Sequence, residues 1–448
     1  MAILNGLFGL AILLGIAVLA SRHRRRINWR LVASGFALQF VFALLVLRGE
    51  RLGEYFAPLA WPKAVFQGIS TGFVRLLGFS MDGAKFVFGD LALGPGTEGS
   101  LGYFFAFQAL PTIVFFASLM GVLYYLGIMQ RVVQGMAWVM ARLMGTSGAE
   151  SLASTANIFV GQTEAPLLIR PFLMTLTQSE LLTVMVGGMC TIAGGVMAAY
   201  VQMLGHAYAE TQGVALEAGQ IRFAAQLLGA SIMAAPAGLA ISKILLPEVD
   251  EPMTKGTVRV TVEKRASNVI ESAAVGAADG LKLALNVGAM LIAFIALIAL
   301  IDFLLQGAGD LTGLNAVTQD LFGEPLSLRL LFGLVLQFLT FAMGVSWQEA
   351  MEVGSLIGTK IVLNEFVGYV ELSSMIEAGK LVSDKAITIA TFSLCGFANF
   401  ASIAIQIGGI APLAPERRKD LAALGLRALL GGTLANLTTA TMAGMLFV

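Results

Sequence analysis

Apolar runs of about 17–25 residues recur along the whole chain, and each is long enough to cross ~30 Å of hydrocarbon as a helix. That recurrence leaves little room for a soluble fold. Of the 448 residues, 57% are hydrophobic and 12% are charged, whereas a soluble domain carries about a quarter of its residues charged. Mean hydropathy is +0.83. Lys+Arg and Asp+Glu balance at 28 each, so no net field favours a nucleic-acid partner. Cys190 and Cys395 both sit in apolar segments and read as small buried hydrophobes. No phosphate-binding Gly-x-x-x-x-Gly-Lys-Ser/Thr loop occurs, so any work done across a membrane is expected to draw on an ion gradient unless an ATPase sits on another chain.

Basic loops set the expected orientation. Ile3–Ala20 has no charge before it, which argues against a cleaved signal peptide, and reads as the first span. The Ser21–Arg30 loop carries five arginines and marks the cytoplasm. Leu31–Leu47 returns outward, Trp61–Phe88 reads as a helix on the membrane surface, and Tyr103–Ile128 goes inward. Arg131–Met144 is amphipathic and interfacial. Leu181–Leu204, Ile221–Leu246, Gly276–Leu305, Ile387–Ile407 and Leu424–Phe447 complete eight spans. The Pro247–Ser267 loop, with Lys255, Arg259, Lys264 and Arg265, and the Pro415–Lys419 loop are cytoplasmic; both termini fall outside. Leu328–Met343 is short and reads as a partial or interfacial helix.

Two apolar stretches resist this scheme. Ser147–Leu176 holds Gly161, Gln162, Thr163, Glu164, Ala165 and Pro166 at its middle. Ser346–Leu372 holds Gly354, Gly358, Lys360, Asn364 and Glu365. Each reads as a helical hairpin that enters and leaves on one side, because irregular backbone survives at that depth only when protein or a cavity encloses it. The lead-in residues match in register: Met144-Gly145-Thr146-Ser147 with Glu150, and Met343-Gly344-Val345-Ser346 with Glu349. Cys190 and Cys395 follow at similar offsets. An odd number of crossings between the hairpins makes the copies inverted, and paired interrupted segments of that kind point to a midplane binding site. The fold class is therefore an all-α polytopic membrane protein, with two opposed re-entrant hairpins in an inverted repeat. Its expected domains are a scaffold with a surface helix over 1–128, a first transport half over 129–250, a long scaffold span over 251–310 and a second transport half over 311–448.

An ionisable group inside the membrane costs about 2.5–3.5 kcal/mol on insertion scales and is functional by default. Glu164 and Glu365, one per hairpin, are the leading candidates; the competing reading is that each caps a helix N-terminus. Gln162 and Thr163 can read the edge of a heterocycle or satisfy loop backbone. Asn399 and Ser402 lie three apart and can share a ligand with Glu365 or pack helices. Asn157 and Thr191 offer oxygens suited to a small hard cation, or cap backbone. Glu150 and Glu349 are expected to cap the first helix of each hairpin. Lys360 either pairs with Glu352 or snorkels. His23 and His206 fall on opposite sides, and neither a His-Glu-x-x-His nor a Gly-x-Ser-x-Gly motif occurs.

Gly161-Gln162-Thr163-Glu164-Ala165-Pro166, Asn364-Glu365-Phe366 and Cys395-Gly396-Phe397-Ala398-Asn399 resemble, in that order, the signature motifs of the concentrative nucleoside transporter family. The resemblance runs from about Phe104 to the C-terminus. It implies a homotrimer in the bacterial inner membrane, with transport domains that move as elevators against a scaffold. It places Gln162, Thr163 and Glu164 at the nucleobase, and Glu365, Asn399 and Ser402 at the ribose, with Phe397 and Val196 lining the pocket. Asn157, the Val160 carbonyl, Thr191 and the Ile192 carbonyl fall at a sodium ion. Proton-driven members tend to read Gly-Gln-Ser-Glu and lack the asparagine. Gly-Gln-Thr-Glu with Asn157 here favours sodium as coupling ion, with no organic cofactor. Sodium-coupled import of nucleosides such as uridine is the expected function, and proton-coupled nucleoside symport is the alternative. A channel fits an occluded charged tip poorly, and no nucleophile–base pair supports an enzyme.

Overall fold

The computed structural model describes residues 2–94, 97, 99–254 and 266–447. The basic residues Lys255, Arg259, Lys264 and Arg265 lie outside the described residues. Every regular element among the described residues is helical. In chain order the helices that matter here are α1 (Ala2–Leu19), α2 (Trp29–Leu47), α3 (Trp61–Phe88), α4 (Leu110–Tyr125), α5 (Ile128–Met144) and α6 (Gly148–Ala156). They continue with α7 (Gln178–Cys190), α8 (Gly194–Gln212), α9 (Leu216–Leu245), α10 (Val269–Thr312) and α11 (Leu328–Ala342). The last are α12 (Trp347–Val362), α13 (Glu365–Glu377), α14 (Asp384–Leu394), α15 (Phe400–Ile410) and α16 (Arg418–Leu446). Among the described residues, six helical stretches are long and apolar enough to cross a membrane, among them Gln178–Gln212, Leu216–Leu245 and Val269–Thr312.

The Trp61–Phe88 stretch is one continuous helix, and Phe66, Ser70, Val74, Leu77, Ser80 and Ala84 bury a single stripe of it, as three-to-four spacing requires. The centre of the molecule is built from α7, α8, α9, α14 and α16, whose apolar side chains share one core. By contrast α10, 44 residues long, is exposed along most of its apolar length. It packs along α4 and presents Ile292, Phe303 and Leu304 outward, the profile of a helix that faces lipid or a second copy.

The matched lead-ins adopt one conformation. Gly145 and Gly344 have φ of 72° and 103°, a region costly for residues with a Cβ. Ser147 and Ser346 follow in extended backbone and start α6 and α12. Glu150 completes a capping box on α6, its carboxylate accepting from Ser147 N at 2.8 Å. Glu349 does not cap its own helix. Its Oε1 instead accepts from the backbone of Val382 and Ser383, at 3.1 and 2.9 Å, just before α14. The reason is local: the chain entering α14 brings two unpaired amides within reach of that carboxylate.

The Leu328–Met343 segment forms α11, fifteen residues or about 22 Å long, short of the hydrocarbon thickness. It bends by 118° into α12 and doubles back, with Thr340 Oγ1 donating to Ala350 O at 2.6 Å. Lys360 does not meet Glu352. Arg329 on α11 takes that carboxylate at 2.9 Å, and Glu324 beside it, because the fold-back sets α11 against the outer turn of α12.

A further ionic group pins the base of the first hairpin. Lys243 Nζ lies 2.8 Å from Glu150 and 3.1 Å from Glu248, with Lys243 and Glu150 both buried. It ties α6 to the end of α9, and its bond to Ser179 Oγ at 2.9 Å adds α7.

Candidate functional site

Two helices stop in mid-molecule. The stretch read as a single span over Leu181–Leu204 is broken: α7 ends at Cys190, and Thr191 is extended at φ −121°, ψ 168°. Thr191 is therefore a helix end and not mid-helix, and the β-branched Thr191-Ile192 pair suits that extended backbone. In the other half α14 ends at Leu394 and α15 starts at Phe400. Between them Gly396 sits at φ +151°, where an added Cβ would lie 2.6 Å from Asn436 Oδ1 and 2.8 Å from Met189 O. Glycine is required there on both counts.

The tip of the first hairpin, residues 157–164, lies over the first break. Gly194 N donates to Phe159 O at 3.1 Å. Asn157 and Ser154 face Gly187 of α7, and Thr191 Oγ1 donates to that glycine's carbonyl at 2.9 Å. Asn157 Nδ2 is held by Ala153 O at 3.0 Å, but its Oδ1 is buried with no hydrogen-bond partner in the structure. Ser154 Oγ is likewise buried and unpaired. Val160 and Ile192 are buried beside them. Buried oxygens without donors cost free energy, and they are what a small hard cation would coordinate. Among the described residues no group of three or more His, Cys, Asp or Glu could hold a metal, so a cation here would rely on neutral oxygens.

The second centre forms where both hairpins meet the first turn of α15. Asn399 is the N-cap of α15: its Oδ1 accepts from Ser402 N at 2.9 Å. That leaves Nδ2 to donate to Glu365 Oε2 at 3.1 Å. Tyr200 OH from α8 donates to Glu365 Oε1 at 3.2 Å. Asn364 caps α13 through Val367 N at 2.9 Å, so Glu365 itself is spared that task. From the first hairpin, Gln162 Nε2 donates to Ser402 Oγ at 3.1 Å. Its Oε1 accepts from Gln406 Nε2 at 3.1 Å, and Gln406 is anchored on Met185 O at 2.9 Å. Gly188 permits this approach, since a Cβ there would lie 2.7 Å from Gln406 Nε2 and 2.8 Å from Gln162 Cβ.

Glu365, Asn399, Ser402 and Gln162 are all buried and joined in one network. Thr163 is half-buried against Gly409 of α15, Val196 is buried in the first turn of α8, and Phe397 is half-buried in the second break. Glu164 differs: it is exposed, and its carboxylate accepts from Gly161 N at 3.4 Å, within its own turn. Tyr200 and Gln406 join the site from positions 165 and 244 residues away from their partners in sequence. A tyrosine or glutamine inside an apolar span is the sequence signal for such residues, but it does not name the partner. Tyr200 is further held by Tyr369, at a ring distance of 4.2 Å, and Phe366, at 4.9 Å.

These features fit what comparison with known proteins shows. Residues 226–444 match the family model described as Na+ dependent nucleoside transporter C-terminus, and residues 8–91 match its N-terminus counterpart. Residues 106–207, which hold the first tip and the first break, match a model described as nucleoside recognition. An uncharacterized transporter of Haemophilus influenzae is 43% identical over 99% of this chain and 98% of its own length. Sodium/nucleoside cotransporter 1 of Rattus norvegicus is 39% identical over 98% of this chain, which spans 63% of that protein. Among solved structures, CNTnw in an inward-facing substrate-bound state is 40% identical, with full coverage of both chains and a TM-score of 0.85. A variant of CNTnw in an outward-facing state gives 0.83 at 40% identity, covering 100% of this chain and 98% of its own. The all-helical, multi-pass chain, with its two helix breaks facing two polar tips, belongs to the concentrative nucleoside transporter family.

Proposed function

We propose that this protein is a sodium-coupled symporter that imports nucleosides such as uridine by elevator-type alternating access. The observation that carries the reading is the first turn of α15, where Gln162 of one hairpin meets Ser402 and Glu365 of the other meets Asn399. A ribose has hydroxyls that donate to the Glu365 carboxylate and accept from Asn399 Nδ2, with Ser402 alongside. A nucleobase has a donor–acceptor edge that Gln162 and Thr163 can read, with Glu164 closing over it. Val196 and Phe397 supply apolar walls. Buried donors and acceptors arranged in this way discriminate strongly against ligands that leave them unpaired.

Sodium as the co-substrate is supported by the unpaired Asn157 Oδ1 above the first break. With the Val160 and Ile192 carbonyls and the Thr191 hydroxyl, it offers a neutral oxygen set. Sodium held there bridges residues 157–160 to residues 191–192. That fixes the tip carrying Gln162, Thr163 and Glu164 and raises nucleoside affinity, and thermodynamic linkage requires the nucleoside to raise sodium affinity by the same factor.

The architecture that goes with this reading has eight spans and two opposed re-entrant hairpins in an inverted repeat. The scaffold holds residues 1–128 and 251–310, and the transport halves hold 129–250 and 311–448. Three copies assemble in the bacterial inner membrane, with both termini extracytoplasmic. The exposed, apolar α10 suits the scaffold. The similarity of the chain to both inward- and outward-facing forms of CNTnw supports alternating access.

Uptake of labelled uridine into proteoliposomes tests the reading. An inward sodium gradient should drive accumulation, and a proton gradient without sodium should not. Uptake that follows pH and ignores sodium would assign the coupling to protons. No uptake by folded protein would sink the function.

A further inference from the structure

Lys360 lies on α12 within the second hairpin and is 2% exposed. Its Nζ donates to Ser393 O at 2.9 Å and to Asn436 Oδ1 at 2.7 Å. Asn436, on α16 and 1% exposed, donates from Nδ2 to Cys190 O at 2.7 Å and Cys395 O at 2.5 Å. A lysine and an asparagine thus join the terminal carbonyls of α7 and α14, the two helices that stop in mid-molecule.

Helix C-termini carry partial negative charge, and unwound carbonyls at such ends are where membrane transporters hold cations. An ammonium taken into this interior costs several kcal/mol, and one partnered by neutral oxygens recovers only part of that cost through Coulomb attraction. Two converging negative helix ends, together with the buried Glu365 carboxylate, supply the missing attraction. The first break, by comparison, has neutral oxygens left unpaired at Asn157 and Ser154.

The geometry points to Lys360 as a tethered cation. In the second half it takes the part that a mobile sodium takes in the first, fixing the 395–399 break so that Asn399, and through it Glu365, is set for nucleoside. Lys360 is then a positioning residue that acts through Asn436, the Ser393 carbonyl and its charge facing Glu365, without touching the ligand. The inference rests on the nucleoside-binding role assigned above to Asn399 and Glu365.

Uridine binding to purified protein tests it. Lys360→Gln keeps hydrogen-bond donors and drops the charge, whereas Lys360→Arg keeps the charge. At saturating sodium, uridine affinity should fall by about tenfold or more in the Gln variant and by less than about threefold in the Arg variant, a split that charge and not donor count would produce. The sodium-dependent rise in melting temperature, measured without nucleoside, should persist in both. Lys360→Ala should regain uridine affinity as ethylammonium is added, with no response from the unsubstituted protein. A Gln variant that binds uridine like the unsubstituted protein would overturn the inference. So would folded Lys360→Ala whose loss ethylammonium does not reverse, and this titration decides alone if the Gln variant does not fold. Unsubstituted protein that binds no uridine would instead overturn the nucleoside-binding role, and this inference with it. Binding that is normal but indifferent to sodium would overturn the assignment of a mobile sodium to the first break, and with it the parallel drawn here.

Discussion

The two halves of this transporter repeat one order of elements, yet they treat their polar groups differently at the break. Around 191–193 the first hairpin lays Asn157, Ser154 and Phe159 over an extended strand of backbone and leaves two buried side-chain oxygens without partners. Around 395–399 most of the corresponding groups are paired, Asn399 with Glu365 and the Ser402 amide, Asn436 with both terminal carbonyls and Lys360 with Asn436, although Ser393 Oγ at the end of α14 and Gln406 Oε1 on α15 are buried without partners. In the function proposed here, the first half gains a ligand of positive charge. In the same proposal the second, more fully bonded, offers a carboxylate and an amide whose present partners, Tyr200 among them, exchange for hydroxyls. One architecture can thus serve an ion and a sugar, according to which buried polar groups it leaves open.

Substitutions test that contrast. The largest effect is expected at Gly396→Ala. The new Cβ would meet Asn436 Oδ1 at 2.6 Å and backbone of Met189 and Cys190 at 2.8 Å, at a φ of +151°. Loss of about 4 kcal/mol or more is the scale for combined overpacking and backbone strain, so little folded protein should be recovered in detergent. Next comes Glu365→Gln, which keeps shape and removes charge. Uridine affinity should fall about 10- to 100-fold, the scale of losing one or two charge-assisted hydrogen bonds, with the melting temperature nearly unchanged. Third, Asn157→Ala should raise the sodium concentration for half-maximal uptake by about tenfold, as the loss of one cation ligand would. Uridine affinity at saturating sodium should change far less. If Asn157→Ala and Glu365→Gln depressed the same parameter equally, the division between the halves would fail. The smallest effect is expected at Gly194→Ala, where the nearest atom, Phe159 O, is 3.4 Å from the new Cβ and φ is ordinary. A change within about 0.5 kcal/mol is the scale for an unstrained site, readable as a shift of a degree or two in melting temperature.

Much of the frame was legible in the sequence because membranes impose simple rules. Length and apolarity set the helices, and the Met-Gly-x-Ser lead-ins announced the repeat through residues whose backbone roles, a positive-φ glycine and a serine N-cap, are chemically narrow. The misplaced carboxylate at Glu365 marked the buried polar network, the proposed binding centre, for the same reason. Partners supplied by distant helices stayed hidden. Tyr200, Gln406 and Asn436 lie in apolar spans, and nothing local tells which carbonyl or carboxylate each will reach. Lys360 carried no assignable role for that reason: its acceptors, Ser393 O and Asn436, are 33 and 76 residues away. Glu349 was misassigned because its matched position suggested a cap, while the incoming chain at 382–383 offered better donors. The breaks themselves are written only faintly, since Thr191-Ile192 reads as any β-branched pair until a hairpin tip lies over it.

A cation at the first break and a nucleoside at the first turn of α15 should strengthen each other. Equilibrium binding of uridine to purified protein, titrated in sodium and in choline at fixed ionic strength and pH, measures this directly. Sodium should raise uridine affinity by a factor between about 5 and 150, the usual range for coupled sites, and uridine should raise sodium affinity by the same factor. Identical uridine affinity in sodium and choline would contradict it.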